Sequence, residues 1–125
     1  MKRVFMTEHA PKPVGPYSQV VQYSEFLFLA GQVPLTPDGK MIDGDIIAQT
    51  RQVLNNIKAV LEAAGSSMNR VLKTTIFLAD LGDFETVNGV YAEYFHEPYP
   101  ARSTVEVSKL PKGARLEIDA IASRS

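Results

Sequence analysis

Arg115-Leu116-Glu117-Ile118-Asp119-Ala120-Ile121-Ala122-Ser123 alternates polar with apolar residues over most of its length. Successive side chains of a strand point to opposite faces, so a period of two marks a strand with one face on a core. Leu116, Ile118, Ala120 and Ala122 form the apolar row. Arg115, Glu117 and Asp119 stand in the other row, with Ile121. Just upstream, Arg102 to Val107 repeats the pattern, Ser103, Val105 and Val107 alternating with Arg102, Thr104 and Glu106. Pro111-Lys112-Gly113 supplies the turn between the two strands. The expectation is that both polar rows share one sheet face, displaying Arg102, Thr104, Glu106, Arg115, Glu117 and Asp119. Such a face is either solvated, which antiparallel sheets tolerate, or buried against further subunits with its charges paired.

Helices supply the cover for the apolar rows. From Asp45 to Ala64, the residues Ile46, Ile47, Thr50, Val53, Leu54, Ile57, Val60, Leu61 and Ala64 recur at helical spacing. Asp45 can cap the first turn, and Gly65 can end the helix in the left-handed conformation. Asp80 to Phe95 reads as a second helix with Phe84, Val87, Tyr91, Tyr94 and Phe95 on one side, capped by Asp80 or Asp83. Val4–Met6, Tyr17–Tyr23, Glu25–Ala30 and Val71–Ala79 read as strands, and the unbroken apolar run Phe26 to Ala30 suggests burial on both faces. The order is β-β-β-α-β-α-β-β. It predicts a single α+β domain over residues 1–125, with a mixed six-stranded sheet and two helices on one face.

Composition removes several classes of function. Net charge is −1, with no block of like charge, so the basic footprint of a nucleic-acid binder is missing. There is no cysteine, hence no thiolate chemistry. His9 and His96 have no metal-ligand spacing, and no glycine-rich phosphate loop occurs, so neither metal nor cofactor is expected. No apolar run reaches membrane-spanning length, and nothing behind the first residues resembles a signal peptide. A cytoplasmic protein is the simplest reading.

A few positions can carry chemistry. Arg102 follows Pro100-Ala101, a stiff approach, and its planar guanidinium matches a carboxylate with two parallel hydrogen bonds. Glu117 can orient or activate water; an ion pair with Arg102 or Arg115 is the plainer alternative. Tyr17 follows the turn at Gly15-Pro16 and can close over a small ligand or simply pack at a strand start. Gly31 ends an apolar strand, where a glycine allows close approach to the backbone. Asn88 shares a helix side with Phe84 and Tyr91 and needs partners if buried there.

Taken together, these segments resemble the RidA (YjgF) family. The matching stretches are Gly15-Pro16-Tyr17-Ser18-Gln19, Ala30-Gly31-Gln32-Val33-Pro34, Gln49 to Asn56, Lys73 to Phe77, Asp83-Phe84 with Asn88, Pro100 to Val107, Leu110-Pro111 and Leu116 to Ala122. They occur in family order over nearly the whole chain. The resemblance implies a chorismate-mutase-like α+β fold and a homotrimer with clefts between subunits. It implies hydrolysis of 2-imino acids such as 2-iminopropanoate and 2-iminobutanoate to 2-keto acids and ammonia, without a cofactor. It assigns the substrate carboxylate to Arg102, the attacking water to Glu117, and the cleft lining to Tyr17, Gly31, Asn88 and Thr104. Many relatives have cysteine where Thr104 stands; a contact through the backbone survives that change, whereas thiol chemistry does not. The loop from His96 to Pro100 is short by family standards. Two rival roles go with the family: an RNA-directed ribonuclease or translation inhibitor, and a non-catalytic ligand-binding or chaperone-like trimer.

Overall fold

A computed structural model describes all of residues 1–125. Its elements are β1 (Arg3–Phe5), β2 (Val20–Tyr23), β3 (Phe26–Gln32), α1 (Ile46–Ala63), β4 (Val71–Leu78), α2 (Phe84–Tyr94), β5 (Ala101–Glu106) and β6 (Leu116–Ser123). The expected element order holds, and one six-stranded mixed sheet runs β1-β2-β3-β6-β4-β5. Only β4 and β5 pair in parallel, joined by α2; every other pair is antiparallel.

Helix α1 forms as its periodicity predicts. The Asp45 carboxylate accepts from the Ala48 N–H, and Gly65 follows the helix at φ +80°. Val53, Leu54, Ile57, Val60 and Leu61 are fully buried against Leu27, Leu29, Leu116, Ile118, Ala120 and Ala122 of β3 and β6 in one core. Two buried amides pin loops to this helix. Gln49 donates to Ile42 O and accepts from Arg115 N–H, and Asn56 donates to Leu35 O. Backbone groups that no ladder serves are thereby satisfied.

The segment from Asp80 to Phe95 departs from the single helix expected of it. A 3-10 turn at Leu81–Asp83 precedes α2. The Asp80 carboxylate takes the Gly82 N–H at 2.8 Å, which holds the chain in the tighter turn. Asp83 makes no cap; both of its oxygens accept from the Arg115 guanidinium at 3.1 Å.

Register corrects the expectation of one polar face. In the parallel ladder, Thr74 stands opposite Arg102, Ile76 opposite Thr104 and Leu78 opposite Glu106. Thr74, Ile76 and Leu78 are buried under the helices. Arg102, Thr104 and Glu106 therefore lie on the helix face, while Ser103 and Val105 lie on the open one. Glu117 and Asp119 stand opposite Phe77 and Thr75, on the open face. Arg115 belongs to neither row, because its guanidinium turns to Asp83. Alternation tells which residues of a strand share a face, but not which row turns inward; here β5 is an edge strand, where a polar row on the helix side can still reach solvent.

The run Phe26 to Ala30 is also not buried on both sides. Leu27 and Leu29 are buried, whereas Phe26 and Phe28 are each 46% exposed on the open face. Val4, Val21, Tyr23 and Ile121 share that face with them by register.

Candidate functional site

Two clusters gather the residues singled out in the sequence, on opposite sides of the sheet. The first lies on the open face, where β3 and β6 meet the N-terminal arm. A bulge between Leu29 and Gln32 interrupts the β3–β6 ladder at Gly31. Into it leans the Glu117 side chain. A Cβ built on Gly31 would overlap Glu117 Oε2 and come within 2.9 Å of Cδ, so only glycine leaves the carboxylate its place. Tyr17, 55% exposed, flanks the same cavity, whose volume is about 540 Å³. Tyr17 belongs to a loop, since β2 starts only at Val20. Pro11, Val14 and Lys112 complete the walls.

What holds this cavity open is a residue that sequence reasoning left without a role. Gln19 is buried, accepts from Thr7 N–H at 2.8 Å, and donates to Thr7 O and Pro11 O at 3.1 and 3.0 Å. One amide thus saturates three backbone groups of the proline-rich arm. A glutamine beside a loop gives no periodic signal of such a tie.

Neither ion pair considered for Glu117 forms. The three ion pairs of the chain are Lys40–Asp38, Arg51–Glu93 and Arg115–Asp83. Burial pushes the Glu117 carboxyl above the ordinary glutamate range, and the like charge of Asp119 adds to the rise. This carboxyl holds its proton more readily than a free glutamate.

The second cluster lies on the helix side, between β5 and α2. Arg102 Cζ sits 4.9 Å from the centroid of the Tyr91 ring and 5.6 Å from that of Phe84. With Asn88, Tyr99 and Pro100 it lines a cavity of about 440 Å³. Asn88 is half-buried, makes no side-chain hydrogen bond and faces this cavity, so it is not the buried structural amide the helix pattern allowed. Thr104 lies further along β5, beside Phe84, Gly82 and Glu85. Val107 N–H donates to Leu78 O at 2.9 Å. Backbone direction alternates along a strand, so the N–H and C=O groups of Arg102 and Thr104 point away from β4, toward the open sheet edge.

One chain therefore presents two separate clusters on opposite faces of its sheet. One offers Arg102 with free backbone donors and acceptors, suited to a carboxylate and a neighbouring polar group. The other offers Glu117 and Tyr17 around a glycine, suited to holding a water or a proton. Tyr17, Gly31 and Glu117 come together, as do Arg102, Asn88 and, at the rim, Thr104. Arg102 and Glu117 do not.

The Endoribonuclease L-PSP family profile matches residues 7–124. The chain belongs to the RidA (YjgF) family. A RutC family protein of Pyrococcus horikoshii is 59% identical over 123 residues, 98% of each chain. The RidA-family relative named 2-iminobutanoate/2-iminopropanoate deaminase in Escherichia coli is 45% identical, covering 99% of both. Among solved structures, Escherichia coli TdcF with bound serine superposes with a TM-score of 0.93 at 44% identity, over 98% of this chain and 99% of that one. Relatives named as deaminases support a hydrolase reading of this RidA-family chain. No helix is long and apolar enough to cross a membrane.

Proposed function

We propose that this protein hydrolyses small 2-imino acids and their enamine tautomers, 2-iminopropanoate and 2-iminobutanoate among them, to 2-keto acids and ammonia. The working site is a cleft between copies in a homotrimer, formed by the Arg102 half of one chain and the Glu117 half of the next. The observation that carries this reading is the placement of Arg102 and Glu117 on opposite faces of one sheet, each opening on an uncovered cavity. The exposed Phe26, Phe28 and Tyr23 on the open face supply apolar surface for the partner to cover. The serine bound to the relative TdcF of Escherichia coli fits a site for a small molecule carrying a carboxylate next to nitrogen.

In this reaction Arg102 takes the substrate carboxylate in two charge-assisted hydrogen bonds. The open-edge backbone groups of Thr104 and the Gly31 region take the nitrogen end. Threonine in place of cysteine leaves those backbone contacts unchanged. The imine carbon is then held near a water on Glu117, which replaces a loose encounter by a fixed geometry. Water adds to the protonated C=N carbon and gives a carbinolamine. Glu117 removes a proton from the added oxygen and returns it to nitrogen; ammonia then leaves as the C=O forms, and the Glu117 carboxylate takes the remaining hydroxyl proton. A carboxyl lifted above its usual range suits both halves of this transfer. A net charge of −1, with no block of like charge along the chain, lends an RNA-directed role no support.

The direct experiment measures ammonia release from 2-iminopropanoate generated in situ, over the uncatalysed rate. Two variants probe the Glu117 half. Glu117→Gln should lower kcat by about 10²-fold with KM changed by less than about threefold. It should also raise Tm at neutral pH. A glutamate whose folded pKa is raised stabilises the fold below its ordinary pKa and loses that contribution as pH rises through the folded value. The Tm difference should thus vanish in acid, and a difference independent of pH would count against the burial of this carboxyl. Gly31→Ala should drive the carboxylate out of the bulge and lower kcat about tenfold or more, since misplacement by about 1 Å is costly. Unchanged turnover in Gly31→Ala would remove the close approach from the mechanism.

A further inference from the structure

We infer that Phe84 and Tyr91 form an aromatic cradle that positions the Arg102 guanidinium and leaves its N–H groups free for the substrate. This rests on the proposed role of Arg102 and adds to it the residues that aim it. A half-buried arginine ordinarily finds a carboxylate, yet Arg102 enters none of the chain's three ion pairs. Two ring centroids instead lie within the roughly 6 Å at which a cation is drawn to an aromatic face.

The difference matters for binding. A carboxylate partner would occupy the guanidinium's in-plane donors and cancel its charge before substrate arrived. A ring face attracts the cation through its quadrupole and accepts none of those N–H groups in their plane. The cradle therefore fixes a direction without using the fork.

Tyr91 is itself held. Its hydroxyl and Thr74 Oγ1 are 2.8 Å apart, and both residues are buried. Its ring lies 4.4 Å from that of Phe95, tilted by 32°. Thr74 is also the register partner of Arg102 on β4. A hydroxyl in the otherwise apolar row of Ile76 and Leu78 thus gains a purpose: it ties the ring beneath Arg102 to the neighbouring strand. Phe84, by contrast, is half-buried at the start of α2 and packs against the edge of the core rather than within it, so shortening it disturbs the fold less than shortening Tyr91.

The test uses Phe84→Leu, Tyr91→Phe and Tyr91→Leu in the full chain. In arginine-labelled protein, the Arg102 Nε–H resonance is identified by its loss in Arg102→Lys. It should be shifted upfield by the rings and move toward the free-arginine position in Phe84→Leu and Tyr91→Leu. Tyr91→Phe, which keeps the ring, should retain most of the shift. KM for 2-iminopropanoate should rise about fivefold to tenfold in Phe84→Leu, with kcat changed less. In an Arg102→Ala background, adding Phe84→Leu should change the residual kcat/KM little further, because the coupled cation is already gone. An Arg102 resonance at the free-arginine position in wild type overturns the cradle whatever the activity. So does an equal fold-change in kcat/KM on Phe84→Leu in both backgrounds, which would place Phe84 on the substrate or the fold. Full deaminase activity in Arg102→Ala, with the upfield shift present in wild type, would instead overturn the proposed reaction and leave the cradle standing.

Discussion

Arg102→Ala should lower kcat/KM for 2-iminopropanoate by about 10²–10⁴-fold, from the loss of two charge-assisted hydrogen bonds at ~1.5–3 kcal/mol each. The anchor is lost, and with it the geometry that brings the imine carbon to water. Arg102→Lys should be nearly as damaging, because an ammonium keeps the charge but not the planar fork that meets both carboxylate oxygens. Neither change should greatly disturb folding. Arg102 sits on an edge strand and makes no ion pair, so a near-native Tm is expected beside the lost activity. Activity within about twofold of wild type in Arg102→Ala, measured as ammonia release under the same in situ supply, would contradict the assignment.

The second large effect is a recovery. Arg102→Ala chains and Glu117→Gln chains, each nearly inactive alone, should regain activity when unfolded and refolded together in equal amounts. If each cleft takes Arg102 from one chain and Glu117 from the next, every mixed trimer contains one cleft with both residues native. Three-quarters of randomly assembled trimers are mixed, and one cleft in three of each is whole, so about a quarter of wild-type activity should return. A site confined to one chain would return nothing, because no chain in the mixture carries both residues. Separately purified variants mixed without unfolding should recover only as fast as subunits exchange, which separates assembly from simple addition of residual rates. A monomeric mass by light scattering at micromolar concentration would also remove the basis for recovery.

The two halves were not equally legible in the sequence. Period and caps gave the elements of the fold, and Asp45 and Gly65 bound α1 as their chemistry requires. Gly31 was noted as a place of close approach, and Glu117 meets it there. The pairing of Arg102 with Glu117 on one face failed for a definite reason. Each strand's alternation is local, whereas the relative phase of β5 and β6 is set through β4, which lies between them and pairs in parallel with one and antiparallel with the other. No residue of β5 announces that phase, since its edge position admits Val105 on the open face and Arg102 under α2. Asn88 and Gln19 show the complementary blind spot. Both are amides; one faces an empty cavity and the other ties three backbone groups, and spacing along the chain distinguishes neither.

The central place of β6 bears on how the protein is made. β6 follows every other strand in the chain, yet it lies between β3 and β4 and is the only hydrogen-bonded link between the β1-β2-β3 ribbon and the β4-β5 pair. A nascent chain that has not yet produced Leu116–Ser123 holds two sheet fragments with a strand-wide gap, and each fragment presents an unpaired edge. Closing that gap requires pairings distant in sequence, which form slowly and expose edges while they wait. The strand that completes the sheet also carries Glu117, so the emerging polypeptide acquires a whole sheet and the carboxylate beside Gly31 in one step. A chain stopped before Leu116 should therefore be a substrate for chaperones and proteases rather than a weakened enzyme.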